Sequence, residues 1–395
     1  MLKVGLLNDS FPPMIDGVAN AVFNYANIIK EKYGEPTVII PKYPNVTDHY
    51  PYEVFRYSSV PKIGKVPYRI GNPFLPAQIN EIKKKKLDLM HVHCPFASAV
   101  FARQVNLLNK KKKVPVIFTY HTKFDIDIDR YIQFSPFNNV ARKFVVNNIE
   151  SADEIWVVSK GAGENLKSIG YKGDYIVMQN GTDFKKGIAS NNITNEIKRM
   201  YLIKDHELVF LFVGRMMWYK NLKLIMDSLK IVMQSGIKFK AVFVGEGGDR
   251  PAAEQYAKDI GINNVTVFTG SVCDREKLRG FFSIADLLLF PSTYDTSGLV
   301  VKEAAACNCP SLLIKNSCAS EGVVDGVSGF LAEENEVSCA KTIINASKDG
   351  NILKTVGLNA SKDIYLSWED SVDLAVKRYE KVIENFNRNN YEKTK

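Results

Sequence analysis

The chain has 395 residues, long for one ordinary domain and suited to two. It is 46% hydrophobic, 24% charged and 11% aromatic, which excludes disorder, collagen and low-complexity scaffolding. The formal net charge of +9 is unevenly placed: residues 1–190 hold 26 Lys+Arg against 17 Asp+Glu, and residues 191–395 hold 26 of each. Lys83 to Lys86 and Lys110 to Lys113 supply much of the excess. Such runs are either solvated helix ends or a face turned toward something anionic.

MLKVGLLND opens the chain with a short apolar run that ends at Asn8 and Asp9, so it reads as a first strand and not a signal peptide. KVGLL, PTVII, LMHVH, VPVIFTY, EIWVVS and YIVMQN follow as strands of the first half. Periodic segments such as 18–32 and 137–150 lie between them as helices. LVFLFVG, KAVFVG, NVTVFTG, DLLLFP and PSLLI restart the scheme in the second half. This alternation predicts an α/β chain of two Rossmann-like domains with parallel sheets and an interdomain cleft. The polar segment 184–206 holds the boundary, giving domains 1–188 and 189–369. SWEDSVDLAVKRYEKVIENF then forms a long amphipathic helix. No apolar run reaches the ~18–20 residues of a bilayer span, so no transmembrane helix is expected. The six cysteines lack zinc spacing and are expected as free thiols.

Ligands of such sheets bind beyond the carboxyl ends of the strands. Gly17 follows the first strand and opens a helix, either to let a phosphate approach the backbone or as a turn glycine. His91 and His93 are read as pointing to opposite sides of their strand, each with a core or strand-end role. His121 stands where VIFTY ends and is the candidate functional histidine. Arg215 and Lys220 follow LVFLFVG as two cations suited to a pyrophosphate. In FPSTYDTSGLVVKEAAACNCPSLLI, Asp295 and Glu303 lie seven residues apart. Ser297 is expected to cap a helix that Gly298 begins, with the N–H groups of residues 298–300 open to phosphate. Carboxylates beside an anion site suit neutral hydroxyls: a hexose at Asp295 and a ribose at Glu303.

D-G-V-A-N-A-V, H-V-H-C-P-F, T-Y-H-T, N-G-T-D at 180–183, V-G-R with Lys220, V-G-E-G at 244–247, F-T-G-S-V at 268–272 and D-G-V-S-G-F-L at 325–331 complete a pattern. In this order and spacing, over essentially the whole chain, it resembles the retaining GT-B glycosyltransferases of family 4, which use nucleotide-sugars. The resemblance implies that Gly17 and Val18 lie near the donor phosphates and that His121 contacts the transferred sugar. It implies that Gly214, Arg215 and Lys220 form the diphosphate site, and that Glu246 and Val272 flank the base. Asp295 would bind sugar hydroxyls, Glu303 the ribose, and Ser297, Gly298, Leu299 and Val300 would offer cap or backbone contacts. The last helix, 370–390, would cross back onto the first domain. No metal or other cofactor is expected, because cations and a helix dipole neutralise the leaving group. Asp125, Asp127 and Asp129 look like a DxD metal motif but read as a solvated loop or helix start.

The sequence departs from the family at Asp295, where Glu is usual, which leaves the donor sugar open, and at Asn308, where a small residue is usual. T-Y-H-T and the following stretch to R-Y-I (130–132) resemble glucosyltransferases acting on diacylglycerol. The expected reaction is transfer of a hexose, with UDP-glucose the family-weighted donor, to such a lipid at the cytoplasmic face of an anionic membrane. Segment 75–88 is expected to be a basic amphipathic helix resting on that surface. A polyprenyl-linked or soluble saccharide acceptor, and a non-catalytic sugar-nucleotide binder, are the alternatives. An oxidoreductase is disfavoured, since no strand is followed by G-x-G-x-x-G. Nucleic acid is also disfavoured as a partner, since the lysines lack interleaved aromatics.

Overall fold

The computed structural model describes every residue except Pro13, Ile15, 62–68, 110–111, 125–134 and 393–395. Asp125, Asp127, Asp129, the R-Y-I stretch, Lys110 and Lys111 thus lie outside the described residues. The chain divides into two compact units, Met1–Asn180 with Trp368–Lys395, and Gly181–Ser367.

The first unit is built on β1 (Leu2–Leu7), β2 (Gly34–Pro41), β3 (Glu53–Tyr57), β4 (Leu89–Val92), β5 (Val116–Tyr120), β6 (Glu154–Val157) and β7 (Ile176–Val177). They form one seven-stranded sheet in the order β3-β2-β1-β4-β5-β6-β7. Every neighbouring pair is parallel. The central strands are apolar on both faces because helices cover both, and one buried cluster lies on each side. β3 is missing from the sequence reading. It is an edge strand, EVFRY, whose charged residues dilute the apolar signal.

The second unit repeats the plan with β8 (Leu208–Val213), β9 (Phe239–Val244), β10 (Thr266–Gly270), β11 (Leu287–Leu289), β12 (Ser311–Ile314) and β13 (Phe330–Ala332). The six strands run β10-β9-β8-β11-β12-β13 and all pair in parallel. In both units the order reverses at the first strand, so the carboxyl ends of β1 and β8 are the topological switch points. The terminal β13 has three residues, too few to show a period, and also escapes the sequence reading.

The C-terminal helix Trp368–Glu392 packs within the first unit. Trp368 and Tyr379 are fully buried there. Tyr379 stacks on Trp156 with ring centres 5.4 Å apart, and Arg378 Nε donates to Glu154 Oε1 at 2.9 Å. Tyr33, which caps the C-terminal end of the helix Gly17–Lys32, donates to Asp373 at 2.5 Å. The units part at Asn180/Gly181, ahead of the 188/189 boundary read from sequence. Residues 181–188 belong with the second unit because Phe184 is buried against Phe282 and Gly187 N donates to Ala306 O at 2.8 Å.

No described helix is long and apolar enough to cross a membrane. None of the six cysteines is in a disulfide, and Cys307 and Cys309 are buried. Between them Asn308 has φ 57°, the left-handed region that glycine and then asparagine adopt most readily. Its place where a small residue is usual is therefore a matter of backbone conformation.

Candidate active site

The second unit gathers its charged side chains at the carboxyl ends of β8 and β11. The loops after β8 and β9 are zipped together. Met216 N donates to Glu246 O at 2.9 Å, and Trp218 N donates to Asp249 Oδ2 at 2.9 Å. Gly245 must be glycine, since a Cβ there would lie 1.9 Å from Gly214 O. After a single turn, Trp218–Lys220, Asn221 is left-handed and its Nδ2 donates to Pro291 O at 2.8 Å. That bond fastens the Lys220 turn to the segment leaving β11.

Lys220 and Asp295 consequently meet at 2.5 Å, with Lys220 buried and Asp295 half-buried. The rings of Tyr219 and Tyr294 have centres 5.7 and 5.3 Å from the ammonium. Burial pulls the Lys220 ammonium below the usual lysine range, Asp295 opposes that shift, and Arg215 adds to it. Arg215 is exposed, and its side chain makes no hydrogen bond or ion pair with any described residue. Ser292 Oγ, Asp295 Oδ2 and Ser297 Oγ are buried without a hydrogen-bond partner among the described residues. A buried polar atom left unpaired costs about 1–3 kcal/mol, and three of them fall within six residues here.

The helix Leu299–Ala306 starts one residue later than read from sequence. Its N-cap is Gly298 at φ 57°, with Ser297 ahead of the cap and making no capping bond. A Cβ on Gly298 would come within 2.9 Å of Ala319 Cβ, so both conformation and space demand glycine. The N–H groups of Leu299 and Val300 precede the first amide that donates within the helix, Val301 N to Gly298 O at 2.9 Å, and carry the positive end of the dipole. Glu303, in the second turn, is largely buried and receives Arg275 Nη2 at 2.8 Å. Burial raises its carboxyl above the usual range and Arg275 works against that rise. Gly214 follows β8 directly, and its N donates to Val244 O at 3.0 Å. Glu246 is half-exposed and engaged by Arg250, and Val272 packs at the edge of the apolar cluster under β8 and β9.

In the first unit the correction concerns the histidines. Residues two apart on a strand share a face, and the rings of His91 and His93 lie 4.0 Å apart, not on opposite sides. His91 bridges Tyr379 Oη and Thr119 Oγ1, each at 2.6 Å. His93 Nδ1 lies 2.9 Å from His121 Nε2, just past β5. One ring must donate and the other accept, which requires neutral imidazole. Burial lowers all three, His121 to about 3. No group of three or more His, Cys, Asp or Glu among the described residues is arranged to hold a metal ion.

The helix at Gly17 differs from expectation. Asp16 caps it, its Oδ1 accepting from Val18 N at 2.9 Å and Ala19 N at 2.7 Å. These amides are thus occupied by a carboxylate and not open to phosphate. The sequence reading gave no role to Arg275, to Asp183 of N-G-T-D, or to Tyr219 and Tyr294. Asp183 and Tyr294 lay within flagged segments; Arg275 carries no local signal.

Two Rossmann-like α/β units of this kind define the GT-B fold. Solved structures share it. Sucrose-phosphate synthase from Thermosynechococcus elongatus matches with a TM-score of 0.76 at 18% identity, covering 98% of this chain and all of that one. The Anabaena protein Alr3699/HepE, in complex with UDP and glucose, matches at 0.73, covering 96% of this chain and 100% of its own. Residues 15–186 match the family described as Glycosyltransferase Family 4, and residues 193–363 match Glycosyl transferases group 1. The chain belongs to these families and is a glycosyltransferase. It is similar to the alpha-monoglucosyldiacylglycerol synthases of Acholeplasma laidlawii, at 23% identity over 91% of this chain and 92% of that one, and of Streptococcus pneumoniae, at 23% over 84% and 75%. The N-acetyl-alpha-D-glucosaminyl L-malate synthase of Bacillus anthracis is also 23% identical, over 84% and 82%.

The three neutral histidines make the first unit sensitive to acid. An unfolded histidine titrates near 6.5, and these remain uncharged in the folded unit. A depressed folded value means their stabilisation is complete above about pH 6.5 and is lost as pH falls, by up to about 1.4 kcal/mol per pH unit for each. Urea unfolding followed by fluorescence of the buried Trp156 and Trp368 should shift to lower urea between pH 7 and 5.5. An unchanged midpoint over that range would contradict the neutral cluster.

Proposed function

We propose that this glycosyltransferase moves a hexose, glucose, from a nucleoside-diphosphate sugar to a lipid such as diacylglycerol at the cytoplasmic face of an anionic membrane, with retention of configuration. The observation that carries the donor half is the Lys220–Asp295 pair, with Asp295 Oδ2 and the neighbouring Ser292 and Ser297 hydroxyls unpartnered among the described residues, beside the open cation of Arg215. Arg215, Lys220 and the first N–H groups of Leu299–Ala306 hold the diphosphate and stabilise it as it leaves. Asp295, released in part from Lys220 when phosphate takes its place, accepts from sugar hydroxyls. Glu303 accepts from the ribose, Glu246 and Val272 flank the base, and His121 contacts the transferred sugar. In this reading the acceptor hydroxyl attacks on the leaving-group face and the departing phosphate oxygen takes its proton. The charge required is supplied by protein groups, and transfer proceeds without a metal.

The acceptor half rests on the first unit. The names of two relatives, alpha-monoglucosyldiacylglycerol synthases, point to a lipid. The surface is arranged differently from the sequence reading. The helix spans Pro76–Lys84, and its apolar residues Ile79 and Ile82 are buried in the unit's own core. Lys85 pairs with Glu53, and Lys83 Nζ donates to Leu108 O at 2.9 Å. That second bond places the half-exposed Leu107 and Leu108 beside the basic helix end. The outward cations are Lys84, Lys86, Lys112 and Lys113. Each is worth about 1 kcal/mol at an anionic surface, which gives reversible, salt-sensitive docking. The malate synthase relative favours a soluble acceptor as second reading.

Arg215→Ala and Glu303→Ala should each lower transfer by at least about 100-fold while circular dichroism stays unchanged, since each removes a charged contact worth about 1.5–3 kcal/mol and disturbs its neighbours. Near-normal activity in both would remove the assigned site. Excess EDTA should leave the wild-type rate unchanged.

Sedimentation with vesicles tests the membrane half. The protein should pellet with phosphatidylglycerol vesicles at low salt, and Lys84→Glu/Lys86→Glu should weaken this about tenfold or more. An acceptor panel of diacylglycerol, polyprenyl phosphate, free saccharides and L-malate should give product with diacylglycerol. Failure to pellet removes the membrane surface, and product only with a soluble acceptor removes the lipid.

A further inference from the structure

Arg275 is the first residue of the helix Arg275–Ile284, reached five residues after β10 ends. Its guanidinium joins three separate segments. Nε donates to Asp183 Oδ2 at 2.9 Å, and Nη2 bonds Asp183 Oδ1 as well, a side-on fork from a residue in the segment 180–183. The same Nη2 donates to Glu303 Oε1 at 2.8 Å. The guanidinium carbon lies 4.2 Å above the centre of the buried Phe184 ring. The arginine is therefore fixed from two sides before it reaches Glu303.

Glu303 itself is lopsided. Its side chain is 12% exposed, Oε1 is taken by Arg275, and Oε2 accepts from no donor among the described residues. A carboxylate held at one oxygen and open at the other can accept from an outside hydroxyl with its direction already set. An unheld glutamate would first have to lose its rotamer freedom and would be poorly compensated for its burial. Lysine cannot reproduce the fork that lets one group serve two carboxylates.

We infer that Arg275 is a positioning residue for nucleotide recognition: anchored by Asp183, it holds Glu303 with Oε2 turned to the ribose hydroxyls of the donor. The inference rests on the assignment of Glu303 to the ribose, and it adds a residue pair that sets how strongly ribose is told from its deoxy form. Asp183 and Arg275 touch no ligand in this account. Their effect is read only through Glu303.

The test is binding by titration calorimetry of UDP and GDP, each beside its 2′,3′-dideoxy counterpart, to the wild-type protein and to Glu303→Gln, Arg275→Lys and Asp183→Asn. The preferred nucleotide should bind the wild type at least about tenfold more tightly than its dideoxy form, the value of a hydrogen bond to a charged group. Glu303→Gln should abolish most of that ratio. Arg275→Lys and Asp183→Asn should each reduce the ratio about threefold or more, while binding of the dideoxy form stays within about twofold. A merely structural change would weaken both forms alike. If Glu303→Gln removes the ratio but both other variants keep it, the positioning role is overturned and the ribose assignment stands. If Glu303→Gln keeps the ratio, or the wild type shows none, the ribose assignment itself fails and the positioning role with it.

Discussion

A buried ammonium beside a carboxylate organises the second unit. Taking Lys220 and Asp295 out of water is costly, and a pair of this kind contributes little to stability unless its geometry is fixed and its remaining polar atoms are satisfied. Here the fixing is done by backbone. The β8 and β9 loops are zipped through Met216 and Glu246, and Asn221 ties the Lys220 turn to Pro291. The satisfying is incomplete, with Asp295 Oδ2, Ser292 Oγ and Ser297 Oγ all unpartnered among the described residues. Such an arrangement is tolerated because a polyanionic, hydroxyl-rich ligand would supply what is missing. A nucleoside-diphosphate sugar has both properties.

Charge is divided between the units by task. The second unit carries equal numbers of both signs from residue 191 onward, yet concentrates cations and helix N–H groups at one end of its sheet. A diphosphate needs that local field and no overall excess. The first unit holds +8 of the net +9, all of it within residues 1–180, and part of it is spent internally by Lys83 and Lys85. What faces outward is a smaller basic patch flanked by exposed leucines. A face of that composition suits a lipid surface better than a small ligand.

Much of this was legible in the sequence, for physical reasons. Eleven of the thirteen strands of the two main sheets were read from β-rich runs, and the two that escaped, Glu53–Tyr57 and Phe330–Ala332, lie at sheet edges where burial is partial or length is short. Arg215, Lys220, Asp295 and Glu303 were picked out because they follow strand ends or lie beside a helix start, and the structure brings Lys220 against Asp295 and Arg275 against Glu303. The histidine pair was misjudged through strand geometry, since positions two apart share a face. The cap at Asp16 was passed over for the glycine beside it. Arg275 and Asp183 could not be found by pattern, because their meaning lies in a contact across 92 residues. The apolar stripe of Pro76–Lys84 was visible, but whether it met lipid or its own core was decided by tertiary packing.

The anomeric configuration of the product tests the account most directly. The purified protein would be incubated with UDP-glucose and diacylglycerol in phosphatidylglycerol vesicles, and the glycolipid examined by proton NMR. Retention from an α-linked donor, with attack on the leaving-group face, predicts an α-glucosyl product. A β-glucosyl product, or a covalent sugar trapped on any side chain during turnover, would contradict it.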